Sequence, residues 1–303
     1  MKSLARFVAG LSTSAVLLSP LGCQSQKRFE SPDAAVAALS RATEAHDKAE
    51  LRRIFGPMTA ELRSGDAEQD SLDFASFQRA LAAGQAIESA SPDRATLLLG
   101  EIRWPFAVPM VRGTDGTWAF DTEAGIVELD NRRIGRNELR TISACRTLVD
   151  AQNEYRSQDR NGDGMPEYAQ RLLSSDGTRD GLYWPAPGGV DPSPIGPVLA
   201  QAAVRTDASG ERIPFNGYRY RLLLKQGPNA PGGAMDYMVD GRLLNGWAVV
   251  AWPEEWDVSG VMTFIVSHSG TIYEANLGED TEEVALGMQE FDPEADTWQA
   301  VMP

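Results

Sequence analysis

The chain has 303 residues, of which 42% are hydrophobic and 23% charged, enough for one large domain or two ordinary ones with a sizeable core. Its formal charge of −15 repels phosphate backbones, which argues against nucleic acid as a partner and in favour of cations such as calcium.

The first residues read as an export leader. Lys2 and Arg6 form a basic start, Phe7 to Leu18 an apolar stretch, and Leu21-Gly22-Cys23 resembles a lipid-attachment site. Pro20 stands where an aliphatic residue is usual in such a site. The expectation is a signal peptide over 1–22, lipidation at Cys23 and a polar tether over 23–30. The protein would then reside in the periplasm or be held at the membrane as a lipoprotein, with Cys23 its only link to the bilayer. No later stretch approaches the roughly 20 apolar residues that a membrane span requires. The second cysteine, Cys145, is expected to be buried and inert.

Ser31-Pro32-Asp33 announces a helix: a capping hydroxyl, a proline at the first turn and an acid near the positive end of the dipole. It is expected to run to about Phe55 on a stripe of Val36, Leu39, Leu51 and Ile54, stopped by Gly56-Pro57. A second helix is expected over Leu72 to Ala83. Short strands follow at Leu97 to Gly100, Val108 to Arg112 and Trp118 to Phe120, with a turn at Thr114-Asp115-Gly116. Pro105 and Pro109 should demote the middle strand to an edge.

Asp121 to Arg133 reads as helical, with Gly135 as punctuation before a long helix from Asn137 to Gln158. Leu139, Ile142, Cys145, Val149, Gln152 and Tyr155 recur along one side at spacings of three and four, so this helix should pack on a sheet. Beyond Ser174 the texture turns to β-runs. Tyr218, Tyr220, Leu222 and Leu224 alternate onto one face. Met238 to Leu243 is a hairpin around Asp240-Gly241. Trp247 to Trp252, apolar on both faces, suits a central strand. Met262 to Val266 and Thr271 to Leu277 form a hairpin around Ser269-Gly270, and Glu282 to Gln289 a closing helix.

The expected fold class is α+β, a long amphipathic helix packed on a mainly antiparallel, pilin-like sheet over 135–303, after a smaller helical and strand region over 31–134.

The strongest chemical motif is Asp159-Arg-Asn161-Gly-Asp163-Gly164-Met165-Pro-Glu167. Calcium takes six to eight oxygens at about 2.3–2.6 Å, and acids and amides at alternate positions of a tight loop point inward together. Gly164 permits the sharp turn, Met165 offers a carbonyl, and Gln170 replaces the usual final bidentate Glu. Asp159, Asn161, Asp163, Met165 and Glu167 are therefore the candidate metal ligands, for a structural calcium ion. An ordinary turn ending the long helix is the alternative.

Other chemistry is sparse. His46 and His268 show neither zinc-site spacing nor a nucleophile context. Glu254-Glu255-Trp256-Asp257 and the acids from Glu279 to Glu283 allow glycosidic acid–base work but read first as solvated surface. Trp184, Trp247, Trp252 and Trp256 either line a groove or fill a core. Arg132, Arg133 and Arg136 are expected to pair within the protein, and the glycine-bearing loops at 176–185 and 226–233 are functional loops or crossovers.

Several runs resemble the bacterial domain-of-unknown-function family 2950: Trp104-Pro-Phe106, Trp118-Ala-Phe120-Asp121, the stretch from Asn131 to Leu139, Asp150 to Tyr155, Asp180 to Pro185, Gln226 to Gly233 and Gly260 to Phe264. The stretch from Thr206 to Ile213 reads as an insertion peculiar to this chain. The resemblance implies an exported bacterial protein without an assigned activity, and it carries over no catalytic residue. No catalytic or cofactor-binding residue is expected. The leading reading is a non-enzymatic binding, scaffolding or assembly protein of the envelope, acting on an envelope protein or glycan. A periplasmic hydrolase of glycan or peptide and a pseudopilin-like subunit are the alternatives.

Overall fold

The computed structural model describes residues 25–63, 67–160, 162, 164–186, 192–201 and 214–302. The expected leader, Cys23, Asn161, Asp163 and the insertion at 206–213 lie outside the described residues. The chain divides into two compact units, one ending at Glu128 and one beginning at Leu129.

In the first unit, Ser31 caps helix α1 (Pro32–Glu44) by accepting a bond from the Ala34 amide. The expected single helix is in fact two. His46 adopts a left-handed φ of +51°, and Asp47 caps α2 (Lys48–Phe55) by accepting from the Ala49 and Glu50 amides. Asp47 was a second start signal within the apolar stripe. Helix α3 (Ala67–Ala83) starts earlier than expected.

Strands β1 (Gln85–Ser91), β2 (Arg94–Leu99), β3 (Trp104–Pro105), β4 (Met110–Arg112) and β5 (Trp118–Phe120) form an antiparallel sheet in the order β1-β2-β4-β5, with β3 also on β2. The middle strand is therefore interior, not an edge. Pro105 does sit on short β3, while Pro109 falls just before β4, where its missing N–H breaks no pairing. Leu39, Ile54, Leu97, Met110 and Phe120 are the buried centre of this unit.

Gln26 to Phe29, expected to be free tether, belong to this body. Phe29 exchanges two backbone bonds with Trp118. The Gln26 side chain donates to the carbonyls of Phe120 at 2.6 Å and Ile54 at 3.1 Å, and the Lys27 amide donates to the Arg53 carbonyl.

Helix α4 (Thr122–Arg156) begins in the first unit and continues into the second without a break. Gly135 does not interrupt it. A helical glycine costs about 1 kcal/mol, which 35 residues of helix absorb. Its buried stripe is Thr141, Cys145, Leu148, Gln152 and Tyr155, whereas Leu139, placed on that side by periodicity, is 69% exposed.

The second unit continues through α5 (Pro197–Gln201), β6 (Tyr218–Leu223), β7 (Lys225–Gln226), β8 (Met235–Asp236), β9 (Met238–Val239), β10 (Arg242–Leu243), β11 (Ala248–Pro253), β12 (Met262–Ser267), β13 (Ile272–Asn276), α6 (Thr281–Gly287) and β14 (Gln299–Ala300). Its main sheet runs β14-β13-β12-β11-β6. All six residues of β11 are buried, as a central strand demands. Asp240 and Gly241 both take positive φ, +51° and +79°, the signature of a type I′ hairpin turn. Leu224 lies past the end of β6 and is exposed, so only part of the expected Tyr218-to-Leu224 alternation reaches the core. Helices and antiparallel sheets together make the chain α+β.

Gly260 is required by close approach: a Cβ there would sit 2.1 Å from the Tyr218 hydroxyl oxygen. Gly260→Ala should therefore destabilise the second unit by about 1–3 kcal/mol in urea unfolding. An unchanged midpoint would show that the Tyr218 hydroxyl does not pack against Gly260.

Candidate functional site

The loop after α4 is built around two carboxylates. Asp159 accepts from the amides of Gly162 and Gly164, each at 2.7 Å, and folds the chain back on itself. Both glycines have left-handed φ, +78° and +85°, so the sharp turn uses their freedom. Met165 and Glu167 then turn toward β10. Arg242 donates through Nε to Glu167 at 2.9 Å and through Nη2 to the Met165 carbonyl at 3.0 Å. The Gln170 side chain donates to the Gly241 carbonyl, and the Tyr168 amide to the Leu243 carbonyl. Two of the five candidate ligands thus converge on a positive charge that the chain itself supplies. Both carboxylate oxygens of Asp159 accept a loop amide, and carboxylate oxygens of this hard kind are the donors calcium prefers. Among the described residues no group of three His, Cys, Asp or Glu side chains is placed to hold a metal ion.

Next to this loop, Arg156 donates to the Tyr168 hydroxyl at 3.0 Å and lies 4.7 Å over its ring. Tyr155 donates to the Arg179 carbonyl, and burial first, then the charges of Glu167 and Asp180, pushes its hydroxyl up to about 12. Trp184 is buried, with the guanidinium groups of Arg160 and Arg179 at 5.1 and 5.7 Å from its ring.

The glycine-bearing loops are held from within. Asp180 closes one: burial opposes its charge, but bonds from Thr178 and Ser175 outweigh that and hold its carboxyl below the usual range. Gln226 closes the other, donating to the carbonyls of Pro231 and Gly233 and accepting from Tyr237. Side chains of the two loops thus hold them in shape from within.

Trp184, Trp247 and Trp252 are core residues, and partly buried Trp256 donates to Asn276, so these four do not line a common groove. Glu254 is forked by Arg219, while Glu255, Asp257 and the acids from Glu279 to Glu283 face solvent. Arg133 pairs with Asp130. Exposed His46 packs against Phe74. His268 is half-buried, edge-on to Tyr237 at 5.4 Å, and burial lowers its proton affinity. Cys145 is fully buried, its thiol pushed up to about 12 by desolvation.

One carboxylate pair was not anticipated. Glu138 on α4 accepts from the amides of Val261 and Met262 at 2.9 and 3.0 Å. Glu274 on β13 lies near enough that, after burial, the charge of Glu138 raises its carboxyl above the ordinary value. The signal available in sequence was an acid sharing a strand face with buried Ile272.

A raised carboxyl favours the folded state below its unfolded value, near 4.5, and that contribution is lost as pH rises through the folded value. Glu274→Gln removes the dependence. Its stability relative to the parent should be higher at pH 8 than at pH 4, read from urea midpoints. Equal differences at the two pH values would refute the coupling.

The profile of one protein family, described as a protein of unknown function (DUF2950), matches residues 26–301. No curated protein and no solved structure matches the chain. The match covers nearly the whole chain, so the protein belongs to the DUF2950 family.

Proposed function

We propose that this protein is exported and attached to the envelope membrane through lipid at Cys23, and that it works there by binding or scaffolding an envelope protein or glycan. The observation that carries the reading is the docking of Gln26 to Phe29 onto the first unit, three residues past the acceptor cysteine. A leader ending at Gly22, with the lipid on Cys23 and docked chain from Gln26, would hold the first unit close to the membrane face. The buried tryptophans and internally closed loops favour contact over catalysis, since the most reactive-looking motifs are occupied by packing. The test is metabolic labelling with a fatty acid in a bacterial host. The parent chain should carry label in the membrane fraction, and Cys23→Ser should lose the label and leave that fraction. An unlabelled parent would defeat the reading.

The acidic loop adds a second element, a structural calcium ion held by Asp159, Asn161, Asp163, Met165 and Glu167. Its support is the convergence of Met165 and Glu167 on the Arg242 guanidinium. Calcium must compete with that cation and lacks the usual final Glu, so binding should be weak, at the level of roughly 10⁻⁴–10⁻³ M. Millimolar calcium should raise the melting temperature and chelation reverse it. Arg242→Met should tighten the response, and Asp163→Ala abolish it. A melting curve indifferent to calcium in both the parent and Arg242→Met would remove the ion.

A further inference from the structure

The turn Gly100–Arg103, which joins β2 to β3, carries the most exposed apolar side chain of the first unit. Ile102 is 83% exposed, and Trp104, the first residue of β3, is 55% exposed. Single exposed apolar residues are common, so exposure alone decides nothing. Three further observations point to an occupant.

First, the turn is held in shape. Gly100 and Arg103 take φ of +68° and +54°, the Gly100 amide donates to Gly84, and the Arg103 amide donates to Gly100. A left-handed arginine at a fixed turn is a strained placement that the fold maintains. Second, the register aims the N-terminal segment at the same end of the sheet as the turn. Trp118 pairs with Phe29 and Phe120 lies opposite Met110, which follows from β2 through Ala95. The chain read backward from Phe29 to Gln26 therefore runs toward the end of the sheet where β2 enters the Gly100 turn. Measured across the sheet alone, their strands are three spacings apart, about 14 Å. Third, the distance to the anchor is short. Three extended residues from Cys23 to Gln26 span at most about 11 Å, comparable to a headgroup layer.

On the reading that Cys23 is lipidated, we infer that the Gly100–Trp104 turn is a membrane-contacting tip, inserting Ile102 and Trp104 among the headgroups of the bilayer that holds the lipid. Trp is favoured at that level, and an isoleucine beside it gains by leaving water. Glu101 and Arg103 flank Ile102 with opposite charges, so contact should depend little on anionic lipid. The tip gives the acylated chain a second point of attachment and fixes which end of the first unit faces the bilayer.

The test uses the full chain, purified from membranes with its lipid and reconstituted in phosphatidylcholine vesicles bearing brominated acyl chains. The mass of its N-terminal peptide reports acylation separately. Ile102→Cys is labelled with a fluorophore, as is Asp93→Cys at the opposite end of β2; buried Cys145 stays unlabelled. The Ile102 probe should be quenched and blue-shifted, and the Asp93 probe should not. In acylated protein, absent quenching at Ile102, or equal quenching at both sites, overturns the tip and leaves the anchor standing. A protein docking there instead of lipid would give the first of these. A peptide mass without lipid overturns the anchor, and the tip with it.

Discussion

The second unit depends on one packing constraint: the buried stripe of α4 against a sheet whose central strand has no solvent face. Ala248, Val250 and Ala251 in β11 are fully buried, as are Ile265 and Val266 beside them in β12. Small side chains in β11 fit a strand that must be covered on both faces. Cys145, Leu148, Ala151 and Tyr155 of α4 share this core. Gln152 lies in the same stripe and remains satisfied because it donates to the Ala169 carbonyl and accepts from the Ala169 amide, both at 2.8 Å. An amide side chain thereby replaces a strand neighbour and sets the path of the chain leaving the acidic loop.

Elements whose signal is local were legible. Ser31 before Pro32, the Asp240-Gly241 turn and the apolar run of β11 each contain their own physical cause. Elements whose cause lies elsewhere were not. Strand β1, with little buried surface, has no alternation to read and exists because β2 pairs with it. Gly135 looked like a stop because a propensity cost is visible in sequence, while the packing that overrides it is not. Leu139 sits at the right spacing for the stripe, yet the stripe turns away from it. Pro109 read as an edge signal because strand ends were misplaced by two residues. At the acidic loop the sequence indicated the turn and its oxygens but not Arg242, which is 75 positions from Glu167 and reaches it only after β10 forms. Glu138 and Glu274 escaped for the same reason.

The loop also shows how a strongly acidic chain manages its charge. Three carboxylates drawn into partly buried structure have a cation or amide hydrogens directed at them. Glu167 has Arg242, Glu254 has Arg219 and Glu138 has two strand amides, while exposed Asp159 uses two glycine amides to shape its turn. Desolvating a carboxylate without such partners costs several kcal/mol, more than most single contacts return. Acids without that provision, at Glu255, Asp257 and the start of α6, remain at the surface, where water screens them. The motif that resembles a cation site therefore belongs to a wider pattern, and its distinguishing property is that backbone carbonyl and carboxylate oxygens approach the same charge.

The beginning of the folded body carries the same reasoning to the membrane question. Gln26 is bonded through its side chain to carbonyls of two different elements, the ends of α2 and β5, so it joins the body to the chain that precedes it at a fixed point. A flexible linker there would let the body rotate freely about its attachment, and no surface would be preferred. On the proposal that Cys23 carries lipid, a fixed exit would remove most of that freedom, because three residues could not lift the body clear of a bilayer. On the same proposal, whatever lies at that end of the sheet would meet headgroups. The side chains found there are an exposed isoleucine and tryptophan, flanked by charges that cancel. In that proposal, orientation at the membrane would follow from chain geometry first and from apolar contact second.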